Sequence, residues 1–564
     1  MVPGVLLFCA VGLWGGFYSF TADLWGGIFS ALLILLYQRN GSITISFNVT
    51  GIGLGLMLCA GVISIFAAVD RGMAGIGVIR VVALVIFWLV WNQIDTEERE
   101  GVFSVIPLAG TLWTLLSYGA YVIPSLRENF YRANRLGGPF QYSNAYAVFL
   151  LVGLIVLFYD ETKRKAWTSL AQAAVLFSGI IFTGSRSVFV LTAVVLVFLM
   201  LRSGMKLRTK LGMIAAAVGL TLGLQLVMKL DVERLLILTM DSSTLNGRFL
   251  YWQDAVSQIL RHPFGLGYMG YFYLQPQFQT GNYVTRFVHN DFLQTGLDFG
   301  ILALVAVALM VVYGIWKQRG RNRMILVVLM LHALFDFDMQ FFVMACLALM
   351  CLPLEDAKLA AVSGKKFLLS GCAVGCAVFC YFTMALGLEY FGRYEQALQL
   401  YPWNTEARAA LLREQGQDKS AVVLAEKLIQ ENGMLADAYE VMLREETQAR
   451  YMLGSGKEGE QDVDQILEYE RQMLRCAGYD SYYYNQAVYY LSFALAEASE
   501  EGGEKAERAI LEEILRIPDV IDEKEGEASE LAYKIVDHPE IILEDEILEY
   551  LEELKELEKG GQEK

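Results

Sequence analysis

Histidine, arginine and carboxylate side chains stand where polar loops of this chain give way to apolar runs, and together they suit a group-transfer reaction on an anionic substrate. The chain has four histidines. One of them, His289, is followed by Asn290 and Asp291 just where a long polar stretch re-enters an apolar run. An imidazole titrates near neutral pH and suits general-base work; the competing structural role is that of a cap or interfacial residue. Arg186 ends the run Thr183-Gly184-Ser185-Arg186 between two apolar stretches, and a charge in or beside a bilayer is costly enough to call for a partner. Arg248 lies in Asn246-Gly247-Arg248, just before Tyr251-Trp252. Guanidinium groups match phosphate oxygens bidentately and stay charged at any relevant pH, which suits them to a diphosphate at the membrane surface. The plainer alternatives are a topology-setting charge for Arg186 and a surface ion pair for Arg248.

Other polar clusters carry weaker signals. His262-Pro263-Phe264-Gly265-Leu266-Gly267 has the proline and glycines of a tight, close-packed turn, so His262 is assigned to structure. His332, Asp336 and Asp338 sit near a turn between apolar runs. Two carboxylates in a turn that faces water do not define a metal site. Arg127, Arg132 and Arg135 gather in one loop, where they would attract an anionic substrate or headgroup, or pair with Glu128 and surface lipid.

The elements that must position these groups are membrane spans. The chain has 564 residues, 55% of them hydrophobic, and its apolar runs repeatedly approach the ~20 residues needed to cross a bilayer. About thirteen runs are expected, at 4–20, 24–37, 51–69, 73–93, 102–124, 141–159, 166–183, 187–201, 211–229, 291–315, 324–335, 340–354 and 367–388. The first is read as a retained span, since Met1 to Phe20 lacks a basic leader region. The expected class is all-α: a polytopic transmembrane bundle over 1–388, with an external loop at about 230–290, and a soluble helical domain over 389–564.

Charge divides the chain the same way. The overall formal charge is −16, yet residues 1–388 carry 27 Lys+Arg against 19 Asp+Glu, while residues 389–564 carry 18 against 42. An acidic domain of this kind argues against nucleic acid, because phosphate backbones need clustered Lys and Arg. Five of the eight cysteines, Cys9, Cys59, Cys346, Cys372 and Cys376, lie in apolar runs and read as small buried hydrophobes, with Cys476 in the soluble part. Lysines and arginines collect at Lys163-Arg164-Lys165, at Arg202, Lys206, Arg208 and Lys210, from Lys317 to Arg323, and from Lys358 to Lys366. Short loops rich in these residues mark the cytoplasmic face. Alternation then puts the 125–140 segment, the Gly184 to Arg186 turn, the loop that begins near Asp231, the Asp336/Asp338 turn and the C-terminal domain outside.

Past residue 389, Gly392-x-Tyr394, Ala397-Leu398 and Tyr401-Pro402-x-Asn404 resemble the second helix and exit turn of a tetratricopeptide repeat. Ala421, Ala425, Ala436 and Tyr439 suggest a degenerate second copy, and Glu540 to Lys564 a solvated capping helix. Helix-pair repeats stack into concave binding surfaces.

Taken in order, Thr-Gly-Ser-Arg-Ser ending at Ser187, Asn-Gly-Arg248 followed by Trp252, Pro263-Phe-Gly-Leu-Gly267, and His289-Asn290 followed by Leu293-Gln294 and Gly300 resemble the O-antigen ligase and polymerase superfamily. Arg135-Leu-Gly-Gly-Pro-Phe-Gln-Tyr-Ser-Asn144 is similar to that family's Gly-rich segment before a span. The resemblance covers roughly 125–350. It implies a GT-C-type membrane glycosyltransferase whose donor is a glycan on a polyprenyl diphosphate such as undecaprenyl diphosphate. Arg186 and Arg248 would hold the diphosphate as it leaves and His289 would orient or deprotonate the acceptor hydroxyl. Arg132, Arg135, Asn290 and Asp298 would contact substrate, with Asp298 standing where the family often has Glu. No metal or other cofactor is implied, because the arginines can neutralise the leaving group. A ligase would transfer to a lipid, wall polymer or protein, and the C-terminal helices favour it; a polymerase would transfer to another lipid-linked glycan. A polysaccharide transporter would need polar residues threaded through several spans and an inverted repeat, and a scaffold would not need a long outer loop ending in His and Asn.

Overall fold

The computed structural model describes the chain except for residues 1, 160–165, 203–206, 231, 236–241, 355–357, 363–364, 417–418, 454–461, 501–502 and 563–564. Lys163, Arg164, Lys165, Lys206 and Asp231 therefore lie outside the described residues, as does part of the Lys358 to Lys366 run. The protein is all-α and polytopic: helices dominate throughout, and among the described residues the strands form two small antiparallel pairs. Among the described residues seven helices are long and apolar enough to cross a membrane: Ser19–Asn40, Val49–Ala67, Arg71–Gln93, Thr96–Tyr121, Lys210–Met228, Asp291–Lys317 and Leu368–Tyr390. Ser143–Tyr159 and Trp167–Thr183 are shorter and also apolar. The chain clusters into two compact units.

The first unit comprises Met1–Ile63, Ile76–Met240 and Val288–Gly387. At its centre runs the helix Ser143–Tyr159, apolar on every side and buried along nearly its whole length, which is how a helix surrounded by other helices reads. Its Tyr146 hydroxyl finds Thr114 at 2.8 Å, so the one polar atom of that aromatic is satisfied inside the bundle. The first two expected spans meet earlier than their apolar runs suggest. Helix Val2–Gly12 ends in a 3₁₀ turn at Trp14–Gly16, and the next helix begins at Ser19. Gly15 and Gly16 take φ of +60° and +77° there, with Phe140 and Phe342 packed where a Cβ would project, so chain direction is set by glycine stereochemistry that hydropathy does not register.

Ile43–Phe47 pairs with Lys358–Val362, Ile43 opposite Val362 and Phe47 opposite Lys358. Tyr131–Arg132 and Arg135–Leu136 form a two-residue hairpin whose central Ala133 and Asn134 both have positive φ, the twist that tight hairpins require.

The second unit comprises Ser64–Gly75, Asp241–Phe287 and Leu388–Lys564. Successive helices from Tyr394–Leu400 through Thr405–Gln415, Lys419–Glu431 and Ala436–Arg444 pack against their neighbours, with Ala397, Ala421, Ala425, Ala436 and Tyr439 buried. Helices Val463–Ala477, Ser481–Glu500 and Glu504–Gly526 share a second apolar core. The last helix, Asp545–Gln562, buries Leu551 and Leu554 in that core. Two pieces of chain from between the spans belong to this unit. Asp70 accepts from Met73 N at 2.9 Å, Thr405 Oγ1 at 2.5 Å and Asn432 Nδ2 at 2.8 Å, and Tyr401 donates to Gly72 O at 2.7 Å. Asp254, on helix Ser243–Arg261, accepts from Thr280 N, Thr280 Oγ1 and Tyr283 at 3.0, 2.8 and 2.7 Å. Ser529 N donates to Thr280 O at 2.9 Å. The connector 64–75, the segment 241–287 and the C-terminal helices thus fold together as one unit.

Candidate functional site

In the first unit, the loop that ends at His289 is held by backbone and carboxamide contacts on both sides. His289 adopts φ +50°, a conformation L residues enter at a cost and keep only where surroundings impose it. Val288 N donates to Gln294 Oε1 at 3.0 Å, and Gln294 Nε2 donates to the buried Asp298 at 2.8 Å. Asn290 Oδ1 accepts from Phe292 N and Leu293 N, capping the helix Asp291–Lys317. Gly300, at φ +82° and ψ 179°, interrupts that helix, so its first turns run separately from the rest of the span.

The His289 ring sits edge-on to Phe337 with Nδ1 3.3 Å from Asp336 Oδ1. Asp336 is fully buried. It also accepts from Tyr142 Oη at 2.7 Å, Asn144 Nδ2 at 2.6 Å and Phe337 N at 3.0 Å. Asn144 Oδ1 in turn accepts from Arg135 Nη2 at 2.9 Å, and Arg135 Nε donates to Thr183 O at 2.7 Å. A continuous polar chain therefore links His289, through Asp336 and Asn144, to Arg135 and the turn that presents Arg186. That turn needs Gly184, at φ +60°, and Arg186 opens the helix Arg186–Arg202. Ser187 Oγ lies 3.0 Å from His332 Nε2, whose Nδ1 is 2.5 Å from Asp338 Oδ2. Asp291 Oδ2 accepts from Met339 N at 2.9 Å, which ties the start of its helix to the Asp336/Asp338 turn.

The structure therefore brings His289, Asn290, Asp298, Arg135 and Arg186 into one connected neighbourhood. Arg132, Arg135's partner across the hairpin, is exposed. Arg248 lies in the second unit, half-buried on helix Ser243–Arg261. Among the described residues no group of three or more His, Cys, Asp and Glu has the arrangement of a metal site.

Sequence reasoning gave no role to Asp336 beyond its turn, and it missed Arg80. Arg80 Nη2 donates to Gln340 O at 2.7 Å, and Nη1 reaches Phe17 O at 3.1 Å and Ser19 Oγ at 3.2 Å. Its charge also acts on the buried Asp23 and Asp298. The available signal was a lone arginine inside the apolar helix Arg71–Gln93, where a charge demands partners.

Fold and site together define a multi-pass helical membrane protein with a histidine and buried carboxylates at the mouth of a broken span. Residues 171–308, which contain Arg186, Arg248, His289 and Asp298, match the family model of the O-antigen ligase. That match points to glycan transfer of the ligase or polymerase kind. No curated protein and no solved structure matches the chain.

Proposed function

We propose that this protein transfers a glycan from a polyprenyl-diphosphate carrier to an acceptor hydroxyl at the outer face of the cytoplasmic membrane, as an O-antigen ligase would. The observation that carries this reading is His289, which lies within the segment 171–308 that matches the O-antigen ligase family and is held against the buried Asp336 beyond it. The acceptor oxygen attacks the anomeric carbon and passes its proton to His289. The bond from that carbon to the diphosphate oxygen breaks, and its electron pair leaves with the diphosphate. Arg186 and Arg248 neutralise the departing charge, a task for which guanidinium suits better than ammonium. Asp336 orients the imidazole and stabilises its protonated form. Arg135 fixes the Thr183 to Arg186 turn through its bond to Thr183 O, while exposed Arg132 meets anionic substrate from the outside. Neutralisation by arginine makes a metal unnecessary to this scheme. The C-terminal helices, read as tetratricopeptide-like pairs, recruit the acceptor.

The test is transfer in proteoliposomes supplied with a polyprenyl-diphosphate-linked oligosaccharide and candidate acceptors. A single product carrying the glycan on a different molecule supports ligase activity. A ladder of carrier-linked products supports the polymerase alternative. No transfer with any donor and acceptor pair would return weight to a transporter or scaffold.

A further inference from the structure

The helix Ser243–Arg261 has its polarity reversed. The side turned into its own unit carries Asn246, Asp254 and Gln258 beside Leu250 and Ala255. The outward side presents Phe249, Val256 and Leu260, with Leu260 72% exposed, and the half-buried Trp252 packs edge-on to Phe249. These positions recur at helical spacing along one stripe, joined by the uncharged Gln253. From Phe249 to Leu260 the stripe runs about 16 Å at 1.5 Å per residue. Arg248 and Arg261 flank it. Just past the helix, Phe264 is 62% exposed.

A helix normally turns such a stripe inward; a helix that lies in a membrane interface turns it to the lipid, with basic residues at its flanks reaching headgroup phosphates. The chain itself fixes the depth. Leu266 O accepts from Val69 N at 3.0 Å, and Gly267 sits where a Cβ would meet Ala68 and Ala74 at under 3 Å. Ala68 to Asp70 join the apolar helices Val49–Ala67 and Arg71–Gln93, so Leu266 and Gly267 are at the membrane surface. Five residues separate Arg261 from Leu266, at most about 18 Å of extended chain. The end of the helix cannot stand far from the bilayer.

We infer that Ser243–Arg261 is an interfacial helix that seats Phe249, Trp252, Val256, Leu260 and the following Phe264 in the outer leaflet, with Arg248 and Arg261 at the level of the lipid phosphates. This rests on the stripe and on the Val69–Leu266 contact, not on glycan transfer.

The test places the photocrosslinking residue p-benzoylphenylalanine at Val256 or at Leu260 in the full chain. The protein is reconstituted in phosphatidylethanolamine and phosphatidylglycerol vesicles that carry a radiolabelled phospholipid. Glu512, exposed on helix Glu504–Gly526, serves as the control position. Lipid adducts at Val256 and Leu260 at least about tenfold above the control are expected, and Leu260→Lys should lower the adduct formed from position 256. Adducts no greater than at Glu512, or crosslinks to protein alone, would overturn the inference. Because the readout is lipid attachment, it fails independently of the enzymatic reading.

Discussion

Nδ1 of His289 lies 3.3 Å from Oδ1 of Asp336, and Asp336 is a carboxylate already engaged by Tyr142, Asn144 and the backbone of Phe337. A carboxylate fixed by three donors cannot drift, so the imidazole beside it is confined as well. An orienting carboxylate behind a histidine sets the tautomer and the charge the base can bear.

Asp336→Asn keeps the shape of this contact and removes its charge. Glycan transfer is expected to fall by roughly 10²- to 10⁴-fold in kcat, with KM for the lipid-linked donor little changed. Steady-state kinetics at matched membrane expression check this; a rise in KM with kcat intact would move Asp336 to substrate binding.

Ser187, His332 and Asp338 have the connectivity of a nucleophile, base and orienting acid, yet their place beside Arg186 makes them positioning residues in this account. Ser187→Ala leaves a buried imidazole nitrogen without its hydroxyl, at a cost of about 1–3 kcal/mol. The expected kinetic result is a higher KM for donor with kcat within about tenfold of the intact protein. Loss of kcat as deep as that of His289→Ala would give Ser187 a chemical role instead.

Asp254 ties helix Ser243–Arg261 to Thr280 and Tyr283 with three hydrogen bonds. Burial pushes its carboxyl up, while the bonds from Tyr283 and Thr280 and the charge of Lys524 oppose that shift. Asp254→Ala strands those donors, at about 1.5–3 kcal/mol for a bond to a charged group. Hydrogen exchange of Thr280 to Tyr283 in the full chain should speed up markedly; unchanged protection would show that the segment is held instead by its bond from Ser529 N to Thr280 O and its apolar contacts with Ala532 and Leu250.

The C-terminal core contains a carboxyl pair with opposite behaviour. Burial, with the neighbouring Glu513 charge, pushes Glu470 up to about 8. Glu513 is held low by Arg471 and Arg516, each 2.6 Å away, against the opposing effect of burial. Glu470 keeps its proton in the folded unit where the unfolded chain has lost it. Its contribution therefore falls as pH rises from the ordinary glutamate range to about 8, and levels off above. Calorimetry of the full chain should show the melting temperature of this unit dropping between about pH 5 and pH 8, at roughly 2–4 °C per kcal/mol. Glu470→Gln should flatten that drop; an equal drop in both would remove Glu470 as its source.

The all-α, multi-pass character was legible because each of the thirteen apolar runs meets a helix, from Val2–Gly12 to Lys365–Tyr390, although among the described residues only seven of these helices are long and apolar enough to cross a membrane. Hydropathy reports burial in lipid and little else. It could not show the Gly300 break, which depends on a single residue's φ, or that the connector at Asp70 is gripped by Thr405 and Asn432 more than 300 positions away. At the site, His289, Asn290 and Arg186 stood out as polar residues at span ends. Asp336 did not, because its importance comes from Tyr142 and Asn144 on a distant segment. Asn290 was expected from the family resemblance to contact substrate, and its side chain caps a helix in the structure.

The most direct test of the central claim compares intact protein with His289→Ala and Arg248→Ala, at matched expression, in membranes supplied with a polyprenyl-diphosphate-linked oligosaccharide and its acceptor. The account predicts that transfer disappears in both variants while each remains inserted in the membrane. Transfer at the intact rate in both would contradict it.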